Sequence, residues 1–139
     1  MTVGGEIMEG AKEARMLNFN TLMISSEDPK ALSAFYTKVL GEPAWEDGGY
    51  IGWQPGSSYL MIGPHSEVKG RNEMPGRFIV NFETPDVKGE FKRIKGLGVT
   101  VVQEPYNPGG GGEGPEMTLA TFEDPDGNYF QLASPMPAE

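Results

Sequence analysis

Cysteine is absent from this 139-residue chain, and histidine occurs once, at His65. The first absence removes disulfides, thiolate nucleophiles and cysteine-ligated metals; the second excludes sites built from several imidazoles of one chain. Positive charge is scarce. Eleven Lys and Arg against twenty Asp and Glu leave a net charge of −9, with an isoelectric point near 4.6. That balance argues against a phosphate backbone or an anionic membrane surface as partner, so neither nucleic acid nor membrane binding is expected. No apolar run approaches the roughly 20 residues that a membrane-spanning helix needs. The opening stretch MTVGGEIMEGAKEARM lacks the apolar centre of a secretory signal, which leads to the expectation of a cytoplasmic protein. Glycine and proline are plentiful, at twenty and twelve residues, as in a domain of short elements joined by many turns. The length suits one domain with a core of its own.

Residues 1–16 show no strong period and read as a disordered leader or an expression remnant, with structure beginning at Leu17. Asn18 to Ser25 reads as a strand. The clearest element follows: Asp28 can cap a helix, Pro29 suits its first position, and Gly41 stands where a left-handed C-terminal cap belongs. Between them Leu32, Phe35, Tyr36, Val39 and Leu40 form an apolar stripe of helical period. Short strands are then expected at Pro43–Glu46, Tyr50–Gln54 and Ser58–Gly63, separated by Asp47-Gly48-Gly49 and Pro55-Gly56, both turn-forming. After a polar connector the order returns. Arg77–Glu83 reads as a strand and Pro85–Leu97 as a helix, followed by strands at Val99–Gln103, Thr118–Phe122 and Tyr129–Ala133. Pro29 and Phe35 match Pro85 and Phe91, and Leu40-Gly41 matches Leu97-Gly98, as in a diverged duplication of a β-α-β-β-β unit. Module 17–65, connector 66–76 and module 77–136 would make one domain, the halves pairing to cover what each alone leaves open.

Two runs carry a family likeness. SSEDPKALSAFYTKVLG (Ser25 to Gly41) and FEDPDGNYFQLASP (Phe122 to Pro135) resemble the vicinal oxygen chelate superfamily of glyoxalases, bleomycin-resistance proteins and extradiol dioxygenases. The resemblance covers residues 17–136. It implies an α+β fold in which two paired β-α-β-β-β modules form a cupped mixed sheet with a central cleft, often completed by a homodimer. Metal-dependent members carry one ligand on the first and one on the last strand of each half, usually His, Glu or Gln. The matching positions here are Thr21 (or Asn20), Leu60 or Met61, Ile79 and Gln131. Ile and Leu offer no donor, a Met sulfur suits a divalent cation poorly, and the Thr hydroxyl and Gln amide bring no charge. No metal site and no cofactor is therefore expected.

Three other features compete for a role. His65 lies in the connector, where it reads as a solvated loop residue unless it reaches the cleft and finds an orienting partner. Glu46, Glu83, Glu104, Glu113, Glu116 and Glu123 fall at strand ends or in loops; a cleft-facing one could serve as a base, but solvated surface charge is the plainer reading. Asn107 to Glu116 (NPGGGGEGPE) is either a flexible hairpin connection or a lid over the cleft. It lacks the lysine and strand–helix setting of a phosphate loop.

The remaining constellation is apolar. Trp45, Tyr50, Trp53 and Tyr59 lie on consecutive strands, with Met23 and Met61 beside them. On a concave face such residues would stack a planar organic ligand. The expected function is metal-independent binding of a small aromatic or apolar molecule, of the resistance or sequestration type. Asn20, Thr21, Met23, Trp53, Met61, Asn81, Tyr106 and Gln131 are the expected ligand-facing residues. The alternative is a glyoxalase-like lyase or isomerase, or a dioxygenase, with a noncanonical metal site or a carboxylate base.

Overall fold

The computed structural model describes residues 16–109 and 117–135. The elements run β1 (Thr21–Ser25), α1 (Pro29–Leu40), β2 (Trp45–Asp47), β3 (Tyr50–Trp53), β4 (Tyr59–Gly63), β5 (Val80–Glu83), α2 (Val87–Gly96), β6 (Thr100–Tyr106), β7 (Leu119–Glu123) and β8 (Tyr129–Ala133). They form two four-stranded sheets, ordered β1-β4-β3-β2 and β5-β8-β7-β6. In each the first and last strands of the module pair in parallel, and the other pairs are antiparallel. The duplicated β-α-β-β-β order is thus the observed architecture: two paired modules of an α+β fold. The leader expected over residues 1–16 lies outside the described residues except for Met16, as does the glycine loop beyond Gly109.

Both helices start in the same way. Asp28 accepts a hydrogen bond from the Ala31 amide at 3.2 Å, and Asp86 accepts one from the Gly89 amide at 3.0 Å. Each cap is braced from behind, since the Asp28 amide donates to the Ser26 hydroxyl and the Asp86 amide to the Thr84 hydroxyl. These caps correct the repeat alignment: Asp28 corresponds to Asp86, so Pro29 corresponds to Val87, and Pro85 precedes the second cap instead of opening the helix. Gly41 has a positive φ of 95° but an extended ψ of −173°, so the expected left-handed helical cap is absent. The end of α1 is instead served from α2. Arg93 donates through Nη2 to the Val39 carbonyl at 2.8 Å, and the same guanidinium is held by Glu90. A cation at the carboxyl end of a helix satisfies otherwise orphaned carbonyls and matches the helix dipole.

The core is shared by the modules. Leu22, Ile24, Leu60, Ile62 and Trp53 from the first sheet and Phe82, Phe122, Phe130 and Leu132 from the second belong to one apolar cluster beneath the helices. Phe130 is its hub. Its ring stacks on Phe122 at 5.4 Å between centroids and meets Phe82 at 6.1 Å, within its own module. It also packs on Tyr36 at 5.8 Å and Phe35 at 6.0 Å, both from α1 of the other module. Aromatic pairs at these spacings contribute about 0.5–1.5 kcal/mol each beyond their buried area.

Beside this ring cluster, the buried Tyr36 hydroxyl donates to Asp124 Oδ2 at 2.7 Å, linking α1 to the turn between β7 and β8. Asp124 organises that turn by accepting from the amides of Asp126 and Asn128, each at 2.9 Å, and from the Asn128 side chain. Gly127 supplies the positive φ of 84° that closes it. Burial raises the Asp124 carboxyl above the ordinary Asp value, outweighing the hydrogen bonds that pull it down, and burial together with the neighbouring carboxylate raises the Tyr36 phenol.

Tyr36→Phe leaves the Asp124 carboxylate short of one buried donor. It is expected to cost about 1–3 kcal/mol of stability with an unchanged urea m-value. Since Asp124 binds its proton more tightly folded than unfolded, its contribution is complete below the ordinary Asp pKa and is lost as pH rises through the folded value. The stability of the protein relative to Asp124→Asn should therefore fall as pH rises above the ordinary Asp value of about 4, read by urea unfolding at a series of pH values.

Candidate functional site: the open faces of the two sheets

Strand alternation gives each sheet one face packed under its helix and one open face, and the open faces are the candidate ligand surface. The register lays out the first open face in rows. Trp45 pairs with Gly52, Gly52 with Met61, and Met61 with Met23, so these four cross the sheet side by side. The neighbouring row brings Tyr50 beside Gly63, which pairs with Ser25. The two glycines explain how the rings sit. A Cβ built on Gly52 would fall inside the Trp45 indole, and one on Gly63 inside the Tyr50 ring. Each ring thus lies flat on bare backbone of the adjacent strand. Met23 (55%), Tyr59 (37%) and Trp45 (36%) remain substantially exposed on or beside this surface.

The second open face is polar. Asn81 pairs with Gln131, Gln131 with Thr121, and Thr121 with Gln103, one residue from each strand. Gln131 Nε2 donates to the Thr121 hydroxyl at 3.0 Å. Glu83 and Glu123 occupy flanking rows of the same face, and Glu123 is paired with Arg71 of the connector, whose guanidinium also bonds the Pro125 carbonyl.

Of the expected ligand-facing residues, Thr21, Met23 and Met61 lie on the first open face and Asn81, Gln131 and Tyr106 on the second. Asn20 is exposed just before β1 and accepts from the Thr21 hydroxyl at 2.8 Å. Trp53 is displaced from the set. It is 3% exposed on the helix-packed face, beside Leu60, and its indole N–H donates to the Gly41 carbonyl at 2.9 Å. Tyr50 and Trp53 are three positions apart on one strand, and an odd spacing puts them on opposite faces. The same alternation resolves the choice between Leu60 and Met61: Leu60 is buried and Met61 lies on the open face beside Met23 and Gly52. Gly52, Gly63, Thr121 and Gln103 were not anticipated as part of the surface; an aromatic one strand away from an unexplained glycine was the available signal for the first two. His65 is exposed, and its Nδ1 accepts from the Glu67 amide in a local turn.

The positions that the resemblance assigns to metal ligands hold a hydroxyl (Thr21), a thioether (Met61), an aliphatic chain (Ile79) and an amide (Gln131). That donor set does not fit a divalent ion, lacking any imidazole or carboxylate. Among the described residues no three His, Asp or Glu side chains gather as a metal-holding group.

The glyoxalase-like domain family matches residues 21–133, from the first residue of β1 to the last of β8. The chain belongs to that family. Among solved structures it is similar to a glyoxalase/bleomycin resistance protein/dioxygenase family enzyme from Burkholderia phytofirmans, with a TM-score of 0.65, 21% identity, and coverage of 86% of this chain and 100% of that one. A glyoxalase/bleomycin resistance protein/dioxygenase from Alicyclobacillus acidocaldarius gives a TM-score of 0.67 and 18% identity, covering 86% and 92%. An integron cassette protein from Vibrio cholerae gives 0.65 and 25% identity, covering 86% and 96%. No curated protein matches significantly. In this member the open face of the first sheet is an aromatic floor and that of the second a polar row.

Two substitutions separate floor from core. Trp53→Ala should cost about 3–5 kcal/mol, as for other buried aromatics. Gly52→Ala should lift the Trp45 indole off the sheet and change its near-ultraviolet circular dichroism, at a cost of about 1–3 kcal/mol from overpacking.

Proposed function

We propose that the protein binds a small planar aromatic or otherwise apolar organic molecule in its cleft without a metal, as a sequestering or resistance protein. The observation that carries this reading is the row Trp45–Gly52–Met61–Met23. It presents an indole laid flat, a thioether on either strand beyond it, and no charged side chain. Polarisable thioethers and an exposed ring face suit a flat π-system, and the contact needs no particular outline from the ligand. The donor set at the metal positions of the superfamily supports the same conclusion. Burial and stacking then supply the affinity, with Thr21, Asn81 and Gln131 as polar anchors. A second copy of the chain is a fitting partner, since it would cover apolar side chains such as Phe19 and Phe78 that this chain leaves exposed.

Titration with naphthalene, followed by tryptophan fluorescence, tests the assignment. Trp45→Ala is expected to weaken binding about tenfold, the loss of one stacking contact, while its thermal midpoint stays close to that of the parent. Unchanged affinity would remove the aromatic floor from the site. Elemental analysis of protein purified without a metal-affinity column should find divalent metal well below stoichiometric. Near-stoichiometric zinc, nickel, manganese or iron would overturn the metal-independent reading and turn attention to lyase and dioxygenase chemistry.

A further inference from the structure

We infer that the second wall of the cleft selects an electrically neutral ligand carrying an amide-like edge, a lactam, imide or urea that offers a donor and an acceptor side by side. This deepens the proposed binding function and rests on it. Four observations converge on that chemistry.

Asn81, Gln131, Thr121 and Gln103 form an unbroken row across all four strands of the second sheet, and every member is an amide or a hydroxyl. Adjacent strands are about 4.8 Å apart, so the row offers hydrogen-bonding groups at that spacing over the width of a bicyclic ring system. The row is also oriented. Gln131 commits its Nε2 to the buried Thr121 hydroxyl, which leaves its carbonyl oxygen as an acceptor; Gln103 commits its own Nε2 to the Glu104 carbonyl at 3.2 Å, leaving a second acceptor. Asn81, exposed on the edge strand β5, supplies both an N–H donor and a carbonyl acceptor.

The surroundings favour a neutral molecule. The strand positions of the two open faces carry Asp47, Glu83 and Glu123 and no lysine or arginine, so an anion would meet only like charge from them. Nor does the arrangement call for a cation. Glu123 already has its counter-ion in Arg71, while Glu83 and Asp47 are the last residues of β5 and β2, at the margin of the surface. The central row of each face is free of charge. A molecule that spans both would rest its flat body on Trp45 and Met61 and turn a neutral hydrogen-bonding edge to Gln131 and Asn81. Such an edge is discriminating because an unanswered buried polar group is costly, whereas an apolar edge leaves the amides unpaired.

The test uses the full chain and four probes built on one bicyclic frame: naphthalene, isoquinolinone (a lactam), naphthoate and naphthylmethylammonium. Affinities are read by tryptophan fluorescence, and the side-chain amide resonances of Asn81 and Gln131 are followed by NMR. Isoquinolinone is expected to bind about tenfold more tightly than each of the other three and to shift both sets of amide resonances. In Asn81→Leu and in Gln131→Leu the gap between isoquinolinone and naphthalene should close; the two variants sit on different strands, so a folding defect in one leaves the other to report. Equal affinity for naphthalene and isoquinolinone in the parent overturns the inference and leaves the aromatic-binding function standing. Tightest binding by the anion or the cation overturns it in favour of charge selection. If none of the four binds, the ligand-binding function itself falls and takes this inference with it.

Discussion

The fold depends on how one ring is surrounded. Phe130 lies on the buried face of β8 and is touched by rings from its own module and from the helix of the other. Two duplicated units could each fold over a private core. Here Tyr36 and Phe35 reach across, so the cores merge and the modules become one cooperative body. The polar bond from Tyr36 to Asp124 sits beside these rings and sets the geometry in which they meet. Dispersion and burial hold the modules together, and the buried hydrogen bond selects one relative placement from the many that apolar packing alone would tolerate.

That division explains why the cleft can be chemically unlike its relatives while the architecture is kept. Side chains on the helix face answer to the shared core. Those on the open face answer only to solvent and to whatever enters the cleft. At the four positions that the resemblance assigns to metal ligands, this chain has Thr21, Met61, Ile79 and Gln131, and none of them belongs to the shared apolar cluster. The likeness to solved structures at identities from 18% to 25% shows that the same backbone is built from widely different sequences.

Much of this was legible in the residues. The helix α1 followed from its apolar stripe and Asp-Pro start, and the duplication from the recurring order of elements. Yet the shared prolines give a register two positions away from the structural one, whose marker is a hydroxyl residue two before a capping aspartate (Ser26 and Asp28, Thr84 and Asp86). The four aromatics do not act as a group: the alternation within β3 puts Tyr50 and Trp53 on opposite faces, and Trp53 belongs to the core. Asn81 and Gln131 were legible in the sequence, but the continuation of their row through Thr121 to Gln103 was not. Its register across four strands is set by long-range pairing, and β6 carries irregularities that break simple counting.

The flat seating of Trp45 on Gly52 and of Tyr50 on Gly63 has a consequence for how broad this surface is. Where these two rings rest on bare backbone the wall has no ridge, since no Cβ protrudes beneath them. Such a wall is sensitive to the thickness of what lies against it and indifferent to its perimeter. Discrimination among flat molecules of different shape therefore falls to the facing row. One wall tolerates, the other chooses, and a change in preference among planar compounds could come about without altering the aromatic floor.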